Sequence, residues 1–154
     1  MIIKGLISED FVNYKKVSMT IMFPYCTGFK CGAEYCQNSP LAKSKNIELS
    51  IEDIVSKYIN NSITESVVMQ GLEPLDSWDD LLNLVVELRK RTQDDIVIYT
   101  GYNKEEIKEK INELKQYKNI VMKFGRFIPD QESHFDEILG VTLASLNQYA
   151  EKIS

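Results

Sequence analysis

Val17, Met19, Ile21 and Phe23 alternate with their neighbours at period two, and Lys16 to Phe23 is predicted as a strand. Ile2 to Ile7 is predicted as another strand ahead of it. The period then changes. Ile51, Ile54, Val55 and Tyr58 recur at helical spacing behind Ser50, an N-cap residue, with Glu52 and Asp53 in the first turn, where the helix dipole favours acids. That helix should end near Asn60-Asn61. Ser66 to Gln70 reads as a short strand. Leu81, Leu82, Leu84, Val85 and Leu88 form the apolar face of a strong helix, with Asp76 or Ser77 as cap and Arg89-Lys90-Arg91 suited to its C-terminal end. Ile96 to Thr100 is the next strand, followed by Gly101 and a helix from about Lys104 to Tyr117 with Ile107, Ile111 and Leu114 inward. The charges that begin at Lys104-Glu105-Glu106 form its solvated face. Ile120 to Phe124 is a strand, and Gly125 to Phe135 a loop holding Pro129 and His134. A short strand at Ile138 to Val141 should lead into a C-terminal helix from about Leu143.

Strands alternating with helices call for an α/β fold with a mainly parallel sheet. Four or five such units are too few for a closed eight-stranded barrel. An open partial barrel and a doubly wound sheet both satisfy the pattern. In either, functional loops gather at the carboxyl ends of the strands. Three segments occupy that position: the stretch after Phe23, Gln70-Gly71-Leu72-Glu73-Pro74-Leu75 after Met69, and Tyr99-Thr100-Gly101-Tyr102.

The chain of 154 residues has ordinary apolar and charged fractions, and one domain over residues 1–154 is expected. A formal charge of −5 and the lack of any Lys/Arg cluster beyond the helix-terminal Arg89-Lys90-Arg91 argue against nucleic acid as a partner. No apolar run is long enough for a transmembrane helix, and Met1-Ile-Ile-Lys-Gly does not resemble a signal peptide. A cytoplasmic protein is the expectation, with no membrane partner. Thiols stay reduced there, which leaves metal binding or catalysis for clustered cysteines.

All three cysteines, Cys26, Cys31 and Cys36, fall in one turn-rich loop, each five positions from the next. A structural zinc site needs four ligands, so zinc would require His134, the single histidine, or a second chain. Unrelated packing cysteines are the plainest alternative. A four-iron cluster held by three thiolates would leave one iron open to a ligand that is not protein.

The stretch F-P-Y-C-T-G-F-K-C-G-A-E-Y-C-Q-N-S-P-L, Phe23 to Leu41, resembles the cluster-binding loop of radical S-adenosylmethionine (radical SAM) enzymes, C-x-x-x-C-x-aromatic-C. Tyr35 stands as the aromatic, and Gln37-Asn38 follow as in the small activating enzymes of glycyl-radical proteins. The first gap is one residue longer than usual and the second is two longer. Gly71-Leu72-Glu73-Pro74 resembles the Gly-Gly-Glu-Pro motif of these enzymes, with Leu72 for the second glycine. Tyr99-Thr100-Gly101-Tyr102 resembles the matching strand end of activators of anaerobic ribonucleotide reductase. Lys123-Phe124-Gly125-Arg126-Phe127 and Leu146-Asn147-Gln148 sit where those activators have a Gly-containing strand end and a Ser-Asn-Gln-like segment, with Phe124 replacing an aspartate.

The resemblance covers nearly the whole chain and implies an open partial (β/α) barrel of the radical SAM type. It implies a [4Fe-4S] cluster on Cys26, Cys31 and Cys36, and S-adenosylmethionine (SAM) near Tyr35, Gly71, Glu73, Thr100 and Gly101. Glu73 would hold the SAM amino group and Tyr35 would lie against the adenine. The implied activity is formation of a glycyl radical on the large subunit of anaerobic ribonucleotide reductase through a 5′-deoxyadenosyl radical. A low-potential donor such as flavodoxin or ferredoxin would supply the electron. No acid/base pair is needed, and no residue beyond the cluster and cofactor ligands is expected to be catalytic. Ser39, Asp76 and Asp79 read as turn and cap residues. His134 reads as a surface or partner-contact residue, and Phe127 and Phe135 as a docking rim. A different radical SAM enzyme, or a non-catalytic iron-sulfur or zinc module, remains as an alternative.

Overall fold

The computed structural model describes residues 1–27, 36 and 38–154. Its strands are β1 (Ile2–Ile3), β2 (Gly5–Asp10), β3 (Ser18–Phe23), β4 (Ile47–Glu48), β5 (Ser66–Gly71), β6 (Asp95–Tyr99), β7 (Ile120–Phe124), β8 (His134–Asp136), β9 (Val141–Leu143) and β10 (Tyr149–Lys152). The helices are α1 (Ser39–Lys43), α2 (Ile51–Ile59), α3 (Trp78–Arg91) and α4 (Lys108–Leu114), with 3-10 turns at Pro74–Ser77 and Lys104–Ile107.

The central sheet has six strands in the order β10-β7-β6-β5-β3-β2. Its middle four, β3, β5, β6 and β7, are parallel, while β2 and β10 are antiparallel edges, so the sheet is mixed. The parallel strands lie in chain order without a reversal. One parity of their residues, Met19, Ile21, Phe23, Val67, Met69, Ile96, Ile98, Ile120 and Met122, packs with Ile54 and Val55 of α2, Leu84 and Leu88 of α3, and Ile111 and Leu114 of α4 in a single cluster. All three long helices therefore cover the same face. A doubly wound sheet would put helices on both. Each fully buried Leu or Ile of this layer is worth about 1.5–3 kcal/mol in removed apolar surface.

The other parity, Val68, Val97 and Val121, packs under Tyr14, Leu139, Leu143 and Ala150. Ala150 belongs to the edge strand β10, and the rest of that cover comes from the β2–β3 connection and the β8–β9 hairpin, whose strands pair antiparallel. Lys15 N donates to the Leu139 carbonyl (2.7 Å) and Tyr14 Oη donates to Asp95 Oδ2 (3.0 Å), joining the two covering segments to the sheet.

Several elements differ from the sequence reading. Ile2–Ile7 is split. Lys4 N turns to the Met22 carbonyl, β1 pairs with the unforeseen β4, and β2 runs on to Asp10. Neither Ser77 nor Asp76 caps α3: Ser77 makes no capping bond, and both Asp76 oxygens are engaged elsewhere. The helix expected over 104–117 opens as a 3-10 turn and ends at Leu114. The strand placed at 138–141 is β9 at Val141–Leu143, and His134 lies in β8 instead of a loop.

The expected C-terminal helix from Leu143 is absent, and β10 occupies that stretch. The backbone of β10 pairs with β7 instead, and the turn before it is closed by Gln148 Oε1, which accepts the amides of Ala144 (3.1 Å) and Ser145 (3.2 Å). Ala150 is buried in the same cluster as Val121, the Tyr149 ring centroid lies 5.4 Å from that of Phe124, and β7 gains an edge partner. In contrast, α2 forms as expected, with Ser50 Oγ accepting the Asp53 amide at 3.0 Å.

Candidate functional site

The carboxyl ends of β3, β5, β6 and β7 open onto a cavity of about 370 Å³. Cys26 and Cys36, both half-buried, line it together with Gly71, Glu73, Thr100, Gly101 and Lys123. Three loops that the sequence placed at one rim are thus brought together. Cys31 and Tyr35, expected as a cluster ligand and the adenine contact, lie outside the described residues.

Glu73 is the organising group. It is 1 % exposed. Oε1 accepts the Thr100 hydroxyl at 2.8 Å and the Leu75 amide at 3.1 Å, and Oε2 accepts the Gly101 amide at 2.8 Å. Thr100 Oγ1 in turn accepts the Tyr102 amide at 3.0 Å. Burial pushes the Glu73 carboxyl above its ordinary value, against the opposing pull of the Gly101, Thr100 and Leu75 donors, and Asp76 adds repulsion. Among the described residues no salt bridge reaches it. A buried carboxylate fixed by dipoles in this way is stabilised further by an incoming cation.

Gly71 is needed for a geometric reason. Its φ is +109°, and a Cβ there would stand 2.7 Å from the Phe23 amide nitrogen, on the neighbouring strand. The Gly71 carbonyl accepts Asn38 Nδ2 at 2.7 Å, while the Glu73 amide donates to the Tyr25 carbonyl at 2.7 Å. Segments on both sides of the cysteine stretch are thus tied to the one segment that carries Glu73.

Other site features were not legible in advance. Lys123 is a lone cation in an apolar strand, and strand parity turns it away from the helices into the cavity, 7 % exposed. Its Nζ donates to the Gly125 carbonyl at 2.9 Å and lies 6.0 Å from the Tyr99 ring centroid. A charge at an inward position was the available signal. Asn147 Nδ2 donates to the Arg126 carbonyl (2.7 Å), joining the two segments that were compared with the activators, and a Cβ at Gly125 (φ +100°) would meet Asn147 at 3.1 Å.

His134 is not at the cavity. Its ring Nε2 is 2.7 Å from the Gln148 carbonyl, a bond between β8 and the turn before β10, and the residue is half-buried. Phe127 lines the cavity, and Phe135 stands 62 % exposed. Asp79 and Ser39 lie in the first turns of α3 and α1. No group of three or more His, Cys, Asp and Glu side chains gathers as a metal site among the described residues, which leave out Cys31. No helix among them is long and apolar enough to cross a membrane.

The donor set fits an iron-sulfur cluster: two cysteine side chains share one cavity, and the third cysteine falls between them in sequence. The family model described as a 4Fe-4S single cluster domain matches residues 17–147. No curated protein and no solved structure matches the chain. The matched span holds all three cysteines, the Glu73 network and the strands that carry them, and the chain belongs to the 4Fe-4S single cluster domain family.

Proposed function

We propose that this iron-sulfur protein is a radical SAM activase that forms a glycyl radical on the large subunit of anaerobic ribonucleotide reductase. Cys26, Cys31 and Cys36 would hold the [4Fe-4S] cluster, and the cavity would take SAM. The observation that carries the reading is Glu73: a buried carboxylate, fixed by Thr100 and Gly101, on the same cavity as Cys26 and Cys36. A module that only stored a cluster would have no use for it.

Held by the three cysteines, the cluster would supply one electron for cleavage of the C5′–S bond of SAM to methionine and a 5′-deoxyadenosyl radical, and that radical would take a hydrogen atom from a glycine Cα of the partner. The chain's own residues do the binding and positioning. Glu73 would accept the amino group of SAM, and the ammonium would draw the carboxyl into its ionised form. Gly71 allows the close approach of β3 and β5 that brings the cysteine stretch beside Glu73. The unreversed order of β3, β5, β6 and β7 and the one-sided helices support the open partial barrel as the fold. The cytoplasm is the proposed compartment, and flavodoxin or ferredoxin the proposed class of electron donor.

Anaerobic reconstitution with iron and sulfide tests this. The reduced protein should give a four-iron electron paramagnetic resonance signal that changes when SAM is added, with 5′-deoxyadenosine formed. Glu73→Gln should keep the cluster signal and lose most of the change. A cluster that does not respond to SAM would favour the binding module, and deoxyadenosine without a glycyl radical on the reductase would point to another radical SAM substrate.

A further inference from the structure

One side chain whose position no motif explains is bonded to the backbone just after Cys26. Asp76 lies in the 3-10 turn after β5, half-buried. Its Oδ2 accepts the Thr27 amide at 2.6 Å, and its Oδ1 accepts the Tyr102 hydroxyl at 2.7 Å. Thr27 follows Cys26, and Tyr102 is two residues past Thr100, the donor to Glu73. One carboxylate thus joins the segment carrying a cluster ligand, the segment carrying Glu73 and the loop after β6. Charge-assisted bonds to backbone N–H and to hydroxyl groups are among the stronger hydrogen bonds available to a protein.

Two consequences follow. The chain direction immediately after Cys26 is set by a group on another strand, which fixes a cluster ligand relative to Glu73. A negative charge is also fixed on the amide of the residue that follows a cluster ligand, and such a charge opposes addition of an electron. Net charge and hydrogen bonding near the sulfurs are main determinants of cluster potential. The nearby cation Lys110 donates to the Leu75 carbonyl at 2.8 Å, and would be common to the wild type and to variants at Asp76.

From this we infer that Asp76 is a positioning residue for the Cys26 end of the cluster-binding segment and that its carboxylate holds the cluster's reduction potential low. The inference rests on cluster binding at the cysteines and needs no SAM chemistry.

The test compares the full-length wild type with Asp76→Asn and Tyr102→Phe. In the metal-free proteins, the Thr27 amide should exchange slowly with solvent in the wild type, faster in Tyr102→Phe and fastest in Asp76→Asn. In the reconstituted proteins, a redox titration followed by electron paramagnetic resonance should give a more positive midpoint in Asp76→Asn. Tyr102→Phe keeps the charge and should stay near the wild-type midpoint. Equal Thr27 exchange in all three proteins overturns the positioning role. An unchanged midpoint in Asp76→Asn, or an equal shift in both variants, overturns the role of the charge. Lack of any four-iron cluster in the wild type would instead overturn the cluster reading, and shows first in the iron content; the exchange arm still decides the positioning role.

Discussion

Thr100 donates its hydroxyl to Glu73 at 2.8 Å, linking the carboxyl ends of two adjacent parallel strands through a carboxylate that is almost completely buried. Residues 27 positions apart in sequence share one bond because β5 and β6 are in register and both chains turn at the same rim. This bond is internal to the fold and also limits what the cavity can bind, so stability and ligand recognition depend on the same atoms.

Glu73 should make the free protein less stable as pH rises. Its folded-state carboxyl is raised above the ordinary value of 4.5, chiefly by burial. Below 4.5 the group is neutral in both states and its contribution is fully present. As pH rises past that value the unfolded chain ionises first, and stability is lost until the raised folded value is passed. Denaturant midpoints measured from pH 4 to pH 8 should fall more steeply for the wild type than for Glu73→Gln. Equal slopes would mean that the carboxylate is already compensated.

Thr100 should be replaceable by serine and not by valine. Valine removes the hydroxyl that donates to Glu73 and accepts from the Tyr102 amide, and leaves both partners short of a bond inside the protein. An unsatisfied buried polar group costs roughly 1–3 kcal/mol. Thr100→Val should lose about that much in urea denaturation, and Thr100→Ser should recover most of it.

Periodicity made the layer of α2, α3 and the parallel strands readable because long apolar faces at period 3.6 and short β-branched runs each have one way to bury themselves. The rim could be read for the same reason, since loops after consecutive parallel strands must meet. The C-terminal segment could not. Leu143 to Gln148 carries an apolar pattern that suits a helix, and it is a tertiary relation, the pairing of β10 with β7 through Tyr149 and Phe124 and through Ala150 and Lys123, that decides against it. Asp76 was legible as a polar residue ahead of a helix, where capping is the usual role. Its partners, Thr27 and Tyr102, come from two other loops and leave no trace in local sequence.

Gly71→Ala should damage the sheet and the site together. The added Cβ meets backbone, the Phe23 nitrogen at 2.7 Å and the Met22 carbonyl carbon at 3.0 Å, and neither can rotate away. The backbone is also at φ +109°, which side-chain-bearing residues rarely adopt. The cost should exceed roughly 1 kcal/mol. Thermal unfolding should register that loss, and iron incorporation should fall in parallel because the Asn38 bond to the Gly71 carbonyl moves with it. A variant that unfolded like the wild type and bound full iron would show that β3 and β5 can separate at this point without consequence.

The three cysteines predict a specific response to oxidation. With Cys26, Cys31 and Cys36 as the only thiolates in the chain, a four-iron cluster has one iron without a cysteine ligand. His134 is not among the residues that line the cavity, and its ring Nε2 is engaged with the Gln148 carbonyl. Mild oxidation should therefore release that iron and leave a three-iron cluster, with its own paramagnetic signal and about one iron fewer per chain. Restoring iron under reducing conditions should return the four-iron signal. Replacing any one of the three cysteines by serine should prevent stable four-iron assembly, because the remaining thiolates cannot hold three corners. Four irons that survive oxidation without loss would require a fourth protein ligand, and would place this chain among closed electron-transfer clusters instead of open ones.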